Sequence, residues 1–269
     1  MFTLLAASLF FINDPVSTMR EEPSSNARVA SQAIFSEQIE VGTEQNGWTY
    51  IQTPDGYHGW AATRSIAIRD LPYETSATVS RLAAHVYEVN DTEFGPMMTL
   101  PFGAKLQVFE DSNPRWCQVR LPDDRIGWIQ KGDIAPLPPL QKKQDLVAFS
   151  MQFLGLPYTW GGRSSFGYDC SGFIQMLYRQ IGIHLQRDAK DQINDERFTT
   201  INLDSLEPGD LIFFGPSSKK ITHVGMAIGE GKFIHSTVGE NKPWIIISEL
   251  LNPEWSKKPF ITARQLQKS

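Results

Sequence analysis

The residues best suited to covalent chemistry lie in one stretch, Gly162-Arg163-Ser164-Ser165-Phe166-Gly167-Tyr168-Asp169-Cys170-Ser171-Gly172. A glycine-rich polar loop ends at a cysteine. Beyond it, Phe173, Ile174, Leu177 and Ile181 recur at three- and four-residue spacing, which predicts a helix that begins near the cysteine. At a helix N-terminus, unpaired N–H groups and the positive dipole end favour a thiolate over a thiol. A lone cysteine is more often a buried structural residue. Two downstream histidines tip the balance toward catalysis. His223 lies in Ile221-Thr222-His223-Val224-Gly225-Met226-Ala227-Ile228 and His235 in Lys232-Phe233-Ile234-His235-Ser236. Both segments read as strands, joined by a turn at Gly229-Glu230-Gly231. Nucleophile, base and orienting group are the chemistry implied.

Strand alternation sets a condition on that chemistry. A regular two-residue loop at Glu230-Gly231 would pair Met226 with His235 and turn the two rings to opposite faces. A three-residue loop over 229–231, or a bulge, pairs Gly225 with His235 and returns His223 to the same face. The triad therefore requires an odd loop length or a bulge.

Several of these segments, taken together and in order, resemble the NlpC/P60 cysteine peptidases. They are Tyr158-Thr159-Trp160-Gly161-Gly162, Asp169-Cys170-Ser171-Gly172-Phe173, Thr222-His223-Val224-Gly225 and Ile234-His235. The resemblance covers about 140–269. It implies a papain-like α+β fold and cleavage of peptidoglycan stem peptides. It also implies Cys170 as nucleophile, His223 as base and His235 as the residue that holds the His223 imidazole in its working tautomer. Tyr158 matches a tyrosine that helps the oxyanion site. Asp169 and Ser171 match substrate-binding positions that flank the nucleophile. The stretch Gly182-Ile183-His184-Leu185-Gln186-Arg187-Asp188-Ala189 is similar to one in the γ-D-glutamyl-L-diamino acid endopeptidases, with Gln186 in place of the usual proline. In that group the residue matching Asp188 helps bind the free α-amine of an N-terminal L-alanine. Asp188 also reads as a helix N-cap, and His184 as a surface residue.

Residues before 140 carry an internal repeat. Trp48, Pro54, Asp55, Gly59 and Trp60 recur 68 residues later as Trp116, Pro122, Asp123, Gly127 and Trp128. Strand, Pro-Asp turn, strand is the implied unit, and the repeat resembles tandem bacterial SH3 (SH3b) barrels. Such domains are usually wall-binding modules. In the endopeptidase group, the first copy closes one end of the cleft and supplies a tyrosine and an acid to the substrate amine. Tyr57 is the candidate tyrosine. Glu22 is the candidate acid, with adjacent Glu21 equally plausible.

The chain has 269 residues, enough for several domains. Repeat and motifs suggest 1–70 and 71–137 as SH3b barrels and 138–269 as the catalytic domain, with Ala135-Pro136-Leu137-Pro138-Pro139 as a stiff linker. A formal charge of -5 with scattered Lys and Arg argues against nucleic acid as partner. Cys117 reads as a buried free thiol in a barrel strand. No metal motif is present, and no cofactor is implied. The apolar residues 1–12 lack a basic n-region and are too short to span a membrane. They read as a first barrel strand, giving an expected cytoplasmic location, with periplasmic or secreted as the alternative. A monomer is expected.

The function expected is hydrolysis of the bond between D-glutamate's γ-carboxyl and L-lysine or meso-diaminopimelate, in stem peptides with a free N-terminal L-alanine. That places the enzyme in murein recycling or turnover. The alternatives are an amidase or general hydrolase acting on intact murein, and a non-catalytic wall-binding protein.

Overall fold

The computed structural model describes residues 8–137 and 141–267. They form two compact units. One comprises the residues up to 137 together with 164–166, and the other 141–163 and 167–267.

The repeat becomes two seven-stranded sheets in the first unit. In the first sheet the order is Val29–Ile34, Val16–Arg20, His58–Ala62, Trp48–Gln52, Gln38–Gln45, Leu9–Ile12 and Ile66–Arg69. In the second it is Met98–Pro101, Ala83–Tyr87, Ile126–Gln130, Trp116–Arg120, Lys105–Glu110, Ala77–Val79 and Ile134–Pro136, which is the same topology. The Trp-to-Trp segments form matching hairpins, with Tyr50 opposite Trp60 and Gln118 opposite Trp128. Each turn needs a left-handed residue at the same position, supplied by Gly56 (φ 79°) in the first copy and Asp124 (φ 66°) in the second. Leu9–Ile12 does serve as a barrel strand, pairing with Ile66–Arg69. Residues 1–7 of the expected strand lie outside those described.

Each barrel has its own core. Ile12, Met19, Ile39 and Ile51 fill the first, and Val79, Val86, Leu100, Leu106 and Val119 the second. Cys117 is a buried free thiol of the second core. Phe35 comes from the first repeat but packs within the second core. Polar ties join the two as well. Arg69 Nη1 donates to Pro122 O at 2.9 Å and pairs with Asp124 Oδ1 at 2.8 Å, and Asn13 Nδ2 donates to Asp123 Oδ2 at 2.8 Å.

The second unit is built on a six-stranded antiparallel sheet ordered Phe198–Ile201, Phe260–Leu266, Leu211–Gly215, His223–Gly229, Lys232–Thr237 and Trp244–Glu249. The helix Cys170–Arg179 packs against the two adjacent histidine-bearing strands, the fourth and fifth of that order. Of the residues that predict the helix, Phe173, Ile174 and Leu177 are fully buried, while Ile181 lies two residues past the helix end and is half-buried. Phe153, Tyr168 and Phe173 form an edge-to-face cluster beneath its start. Among the described residues, no helix is long and apolar enough to cross a membrane.

Because Phe35 belongs to one barrel by sequence and to the other by packing, Phe35→Ala should cost about 3–5 kcal/mol and weaken the coupling between the two barrels' unfolding. Urea denaturation followed by tryptophan fluorescence checks this. A variant with an unchanged midpoint would show that the residue adds nothing to the shared core.

Candidate active site

The loop before Cys170 is held by backbone-to-backbone packing. A Cβ on Gly172 would lie 2.1 Å from the Gly162 carbonyl oxygen, and one on Gly162 would lie 2.3 Å from that of Gly167. Glycine at 162 and 172 is therefore a steric requirement. Asp169 takes the N-cap position in extended conformation, and its Oδ1 accepts the Gly172 N–H at 2.7 Å. Cys170 is the first residue of the helix and is half-buried.

The Asp169 carboxylate has a second partner. Buried Arg187 grips it bidentately, Nη1 to Oδ1 at 3.0 Å and Nη2 to Oδ2 at 2.5 Å, and also donates to Ser171 Oγ at 3.0 Å. Gln192 Nε2 donates to the carbonyls of Ser171 and Gln186 at 3.1 and 2.9 Å. The two residues flanking the nucleophile are thus tied to the 186–192 segment.

The hairpin meets the condition set by strand alternation. Glu230 and Gly231 form the turn, both with positive φ (54° and 68°), between paired Gly229 and Lys232. A bulge between Ala227 and Gly229 then shifts the register, so that Ala227 faces Phe233 and Met226 faces Ile234. The pairing continues with Gly225 beside His235, where any side chain would crowd the Phe233 ring at 2.6 Å and the His235 Cβ at 3.2 Å. His223 and His235 consequently share a face. His223 Nε2 lies 2.7 Å from His235 Nδ1, and His235 Nε2 lies 3.0 Å from Ser248 Oγ. Trp255 stacks on the His223 ring (centroids 4.8 Å apart, 27° between planes) and stands edge-on to His235.

The backbone N–H groups of Val224 and Ser171 reach the Cys170 sulfur, which puts the thiol beside the His223 strand. Their pull is outweighed. Burial first, and the Asp169 charge second, push the Cys170 thiol up to about 12. Burial, helped by the Lys258 charge, pulls His223 down to about 3. Burial also holds His235 well below the ordinary histidine range. Burial thus works against both charged forms and opposes the thiolate that the helix N-terminus favours. Burial likewise raises the Tyr158 phenol above its usual range, with Cys170 and Asp169 adding to the effect, so Tyr158 is a hydroxyl donor at neutral pH.

A thiol at a helix start, backed by an imidazole–imidazole pair on a six-stranded sheet, is the arrangement of a papain-like hydrolase. The NlpC/P60 family model matches residues 155–264. Residues 19–66 match the bacterial dipeptidyl-peptidase Sh3 domain, and 83–135 the bacterial SH3 domain. A γ-D-glutamyl-L-lysine dipeptidyl-peptidase of Bacillus subtilis is 31% identical over 222 residues, covering 77% of this chain and 72% of that protein. The chain belongs to the NlpC/P60 family of cysteine peptidases. An enzyme of the same description from Bacillus cereus is 29% identical over 81% of the chain and 70% of its own length. The crystal structure of a Bacillus cereus NlpC/P60 family protein superposes with a TM-score of 0.84 at 24% identity, covering 97% of this chain and all of that one.

The NlpC/P60 domain brings together Cys170, His223, His235, Tyr158, Asp169 and Ser171. Asp188 stands at the N-cap position of the helix Ala189–Gln192, but its side chain makes no capping bond to that helix. Its Oδ2 pairs with exposed Lys190 at 3.3 Å. Tyr57 lies in the first barrel, where it lines a cavity with Glu21, Tyr50 and His58. Glu22 is exposed and is not part of that lining, whereas the adjacent Glu21 is. Three residues of the site had no role in the sequence reading: Arg187, Ser248 and Trp255. The Arg187-Asp188 pair in the motif was the available signal for the first. Nothing local marks the other two.

Two expectations follow from the effect of burial on these groups. With Cys117 replaced by Ser, iodoacetamide modification of Cys170 should rise about tenfold per pH unit through roughly pH 8 to 10, with no plateau at neutral pH. A neutral plateau would mean that a thiolate–imidazolium pair already exists. The histidines act in the acid range. Their folded values lie below the ordinary 6.5, so the unfolded chain binds protons that the native state refuses. Their contribution is fully present above about pH 6.5 and is lost as pH falls toward 3. The melting temperature should drop across that window, and less steeply in His235→Asn.

Proposed function

We propose that this enzyme hydrolyses the γ-D-glutamyl–L-diamino acid bond of peptidoglycan-derived peptides and releases the N-terminal dipeptide L-alanyl-D-glutamate. The supporting observation is the Cys170–His223–His235 arrangement in a chain whose relatives over most of its length are named γ-D-glutamyl-L-lysine dipeptidyl-peptidases. In this reading the Cys170 sulfur attacks the γ-carbonyl as its proton passes to His223 Nδ1. Tyr158 donates its hydroxyl toward the developing oxyanion. His223 returns the proton to the departing amine, leaving the dipeptide as a thioester on Cys170. Water, deprotonated by His223, then releases the dipeptide. His235 keeps the proton of His223 on Nε2 throughout.

Removal of a dipeptide from an N-terminus requires recognition of a free ammonium. We assign that role within the catalytic domain to Asp188. Its pairing with Lys190 joins two partly exposed side chains, and such pairs are worth little. A free L-alanine amine exists only after the sugar has been removed, which assigns the enzyme to murein recycling or late turnover. Cleavage of intact murein as an amidase is the competing reading.

Cys170→Ala should abolish turnover and leave the fold intact. Acetylating the amine of L-Ala-γ-D-Glu-L-Lys or its diaminopimelate counterpart should lower kcat/KM by roughly two orders of magnitude, the scale of a lost charge-assisted contact. Asp188→Asn should impair the free-amine peptide strongly and the acetylated one little. Product analysis by mass spectrometry decides between the readings, since equal cleavage of blocked and free peptides would favour the amidase or general hydrolase.

A further inference from the structure

The buried hydrogen-bond file does not stop at His235. Its Nε2 lies 3.0 Å from Ser248 Oγ, and the two side chains are 0% and 4% exposed. Phe233 is paired with Ser248 and His235 with Ile246, so Ser248 is the diagonal neighbour of His235 on the same face. Each ring nitrogen of His235 therefore faces a polar partner, and the ring has one orientation that satisfies both.

We propose that Ser248 is a positioning residue that sets the direction of the proton file. The inference rests on Cys170 and His223 as nucleophile and base. To take the proton of Cys170, His223 must present a lone pair on Nδ1, since Nε2 is turned to His235. A neutral imidazole then carries its proton on Nε2 and donates it to His235 Nδ1. His235 must hold its own proton on Nε2, where Ser248 Oγ accepts it. Each hydrogen bond fixes the tautomer of the next ring. Without the serine oxygen, the Nε2–H of His235 is buried with no acceptor at that position, which is costly. The proton then moves to Nδ1 of His235. That ring becomes a donor toward His223 Nε2, and the His223 proton is forced onto Nδ1, the nitrogen that must accept from Cys170. The sulfur is left facing an N–H instead of a lone pair.

Nitrogen-15 NMR of histidine-labelled protein reads the tautomers directly and needs no turnover. In the unaltered protein at pH 7, both His223 and His235 should be protonated on Nε2. A wild-type His235 protonated on Nδ1 would overturn the proposal. Ser248→Ala should lower kcat roughly 10- to 100-fold, with KM changed less than about twofold, and should move the His235 proton to Nδ1. Ser248→Thr, which keeps the oxygen, should recover most of the rate and the original tautomer. Wild-type turnover in Ser248→Ala, or a loss in Ser248→Thr as large as in Ser248→Ala, would overturn the proposal. If instead Cys170→Ala still hydrolyses peptide, the nucleophile assignment fails, and the tautomer measurement shows independently whether the file runs as described.

Discussion

The contact between His223 Nε2 and His235 Nδ1, 2.7 Å across the hairpin, constrains much of the catalytic domain. Two rings on adjacent antiparallel strands meet only if their side chains share a face, and a plain two-residue turn between them forbids it. The bulge between Ala227 and Gly229 supplies the missing residue of register. Gly225, between His223 and the bulge on the same face, must then lack a side chain, because the Phe233 ring fills that space. Phe214, Phe233 and Trp255 close around the pair, and the Trp255 indole covers one face of the base. Bulge, glycine and indole are thus consequences of one hydrogen bond placed inside a core.

The cysteine is held by a different device. Asp169 serves at once as helix cap, partner of buried Arg187 and neighbour of the sulfur. A buried guanidinium is tolerated only because the carboxylate and the Ser171 hydroxyl meet it in good geometry, and removing either ionic partner would strand the other. The pair joins the nucleophile's helix to the segment that carries Asp188. Its charge also opposes thiolate formation at Cys170, so the group that positions the sulfur raises the barrier to ionising it.

What could be read without coordinates followed the range of the forces involved. The start of the Cys170 helix, the need for an irregular hairpin and the barrel repeat are written in local periodicity, glycine and Pro-Asp turns. They reappear at the expected positions, although the bulge lies one residue before the turn glycine rather than within a longer loop. Burial at Cys170 opposes the helix dipole and is not legible in the sequence, where the dipole is. Ser248 and Trp255 were invisible for a related reason. Ser248 reaches His235 as a diagonal neighbour on the next strand, and Trp255 comes from a short helix beyond that strand. Neither separation follows any period.

The two barrels act as an internal control on which repeat residues serve the fold. Gly59 and Gly127 recur because a side chain there would strike Met19 in one copy and Val86 in the other. Gly56 and Asp124 recur as left-handed turn residues although their identities differ, since the backbone asks only for positive φ. Around the first-copy cavity, by contrast, Tyr50, Tyr57 and His58 are replaced in the second copy by Gln118, Arg125 and Ile126, while topology and hairpin register are unchanged. Tyr50 stacks on His58 and meets Trp60 edge-on, giving the first barrel an aromatic wall beside Glu21 that the second lacks. A fold that keeps its turns, glycines and strand order does not require those aromatics, so their presence in one copy alone calls for a reason outside barrel stability. A carboxylate and a phenol beside aromatic faces suit a cation.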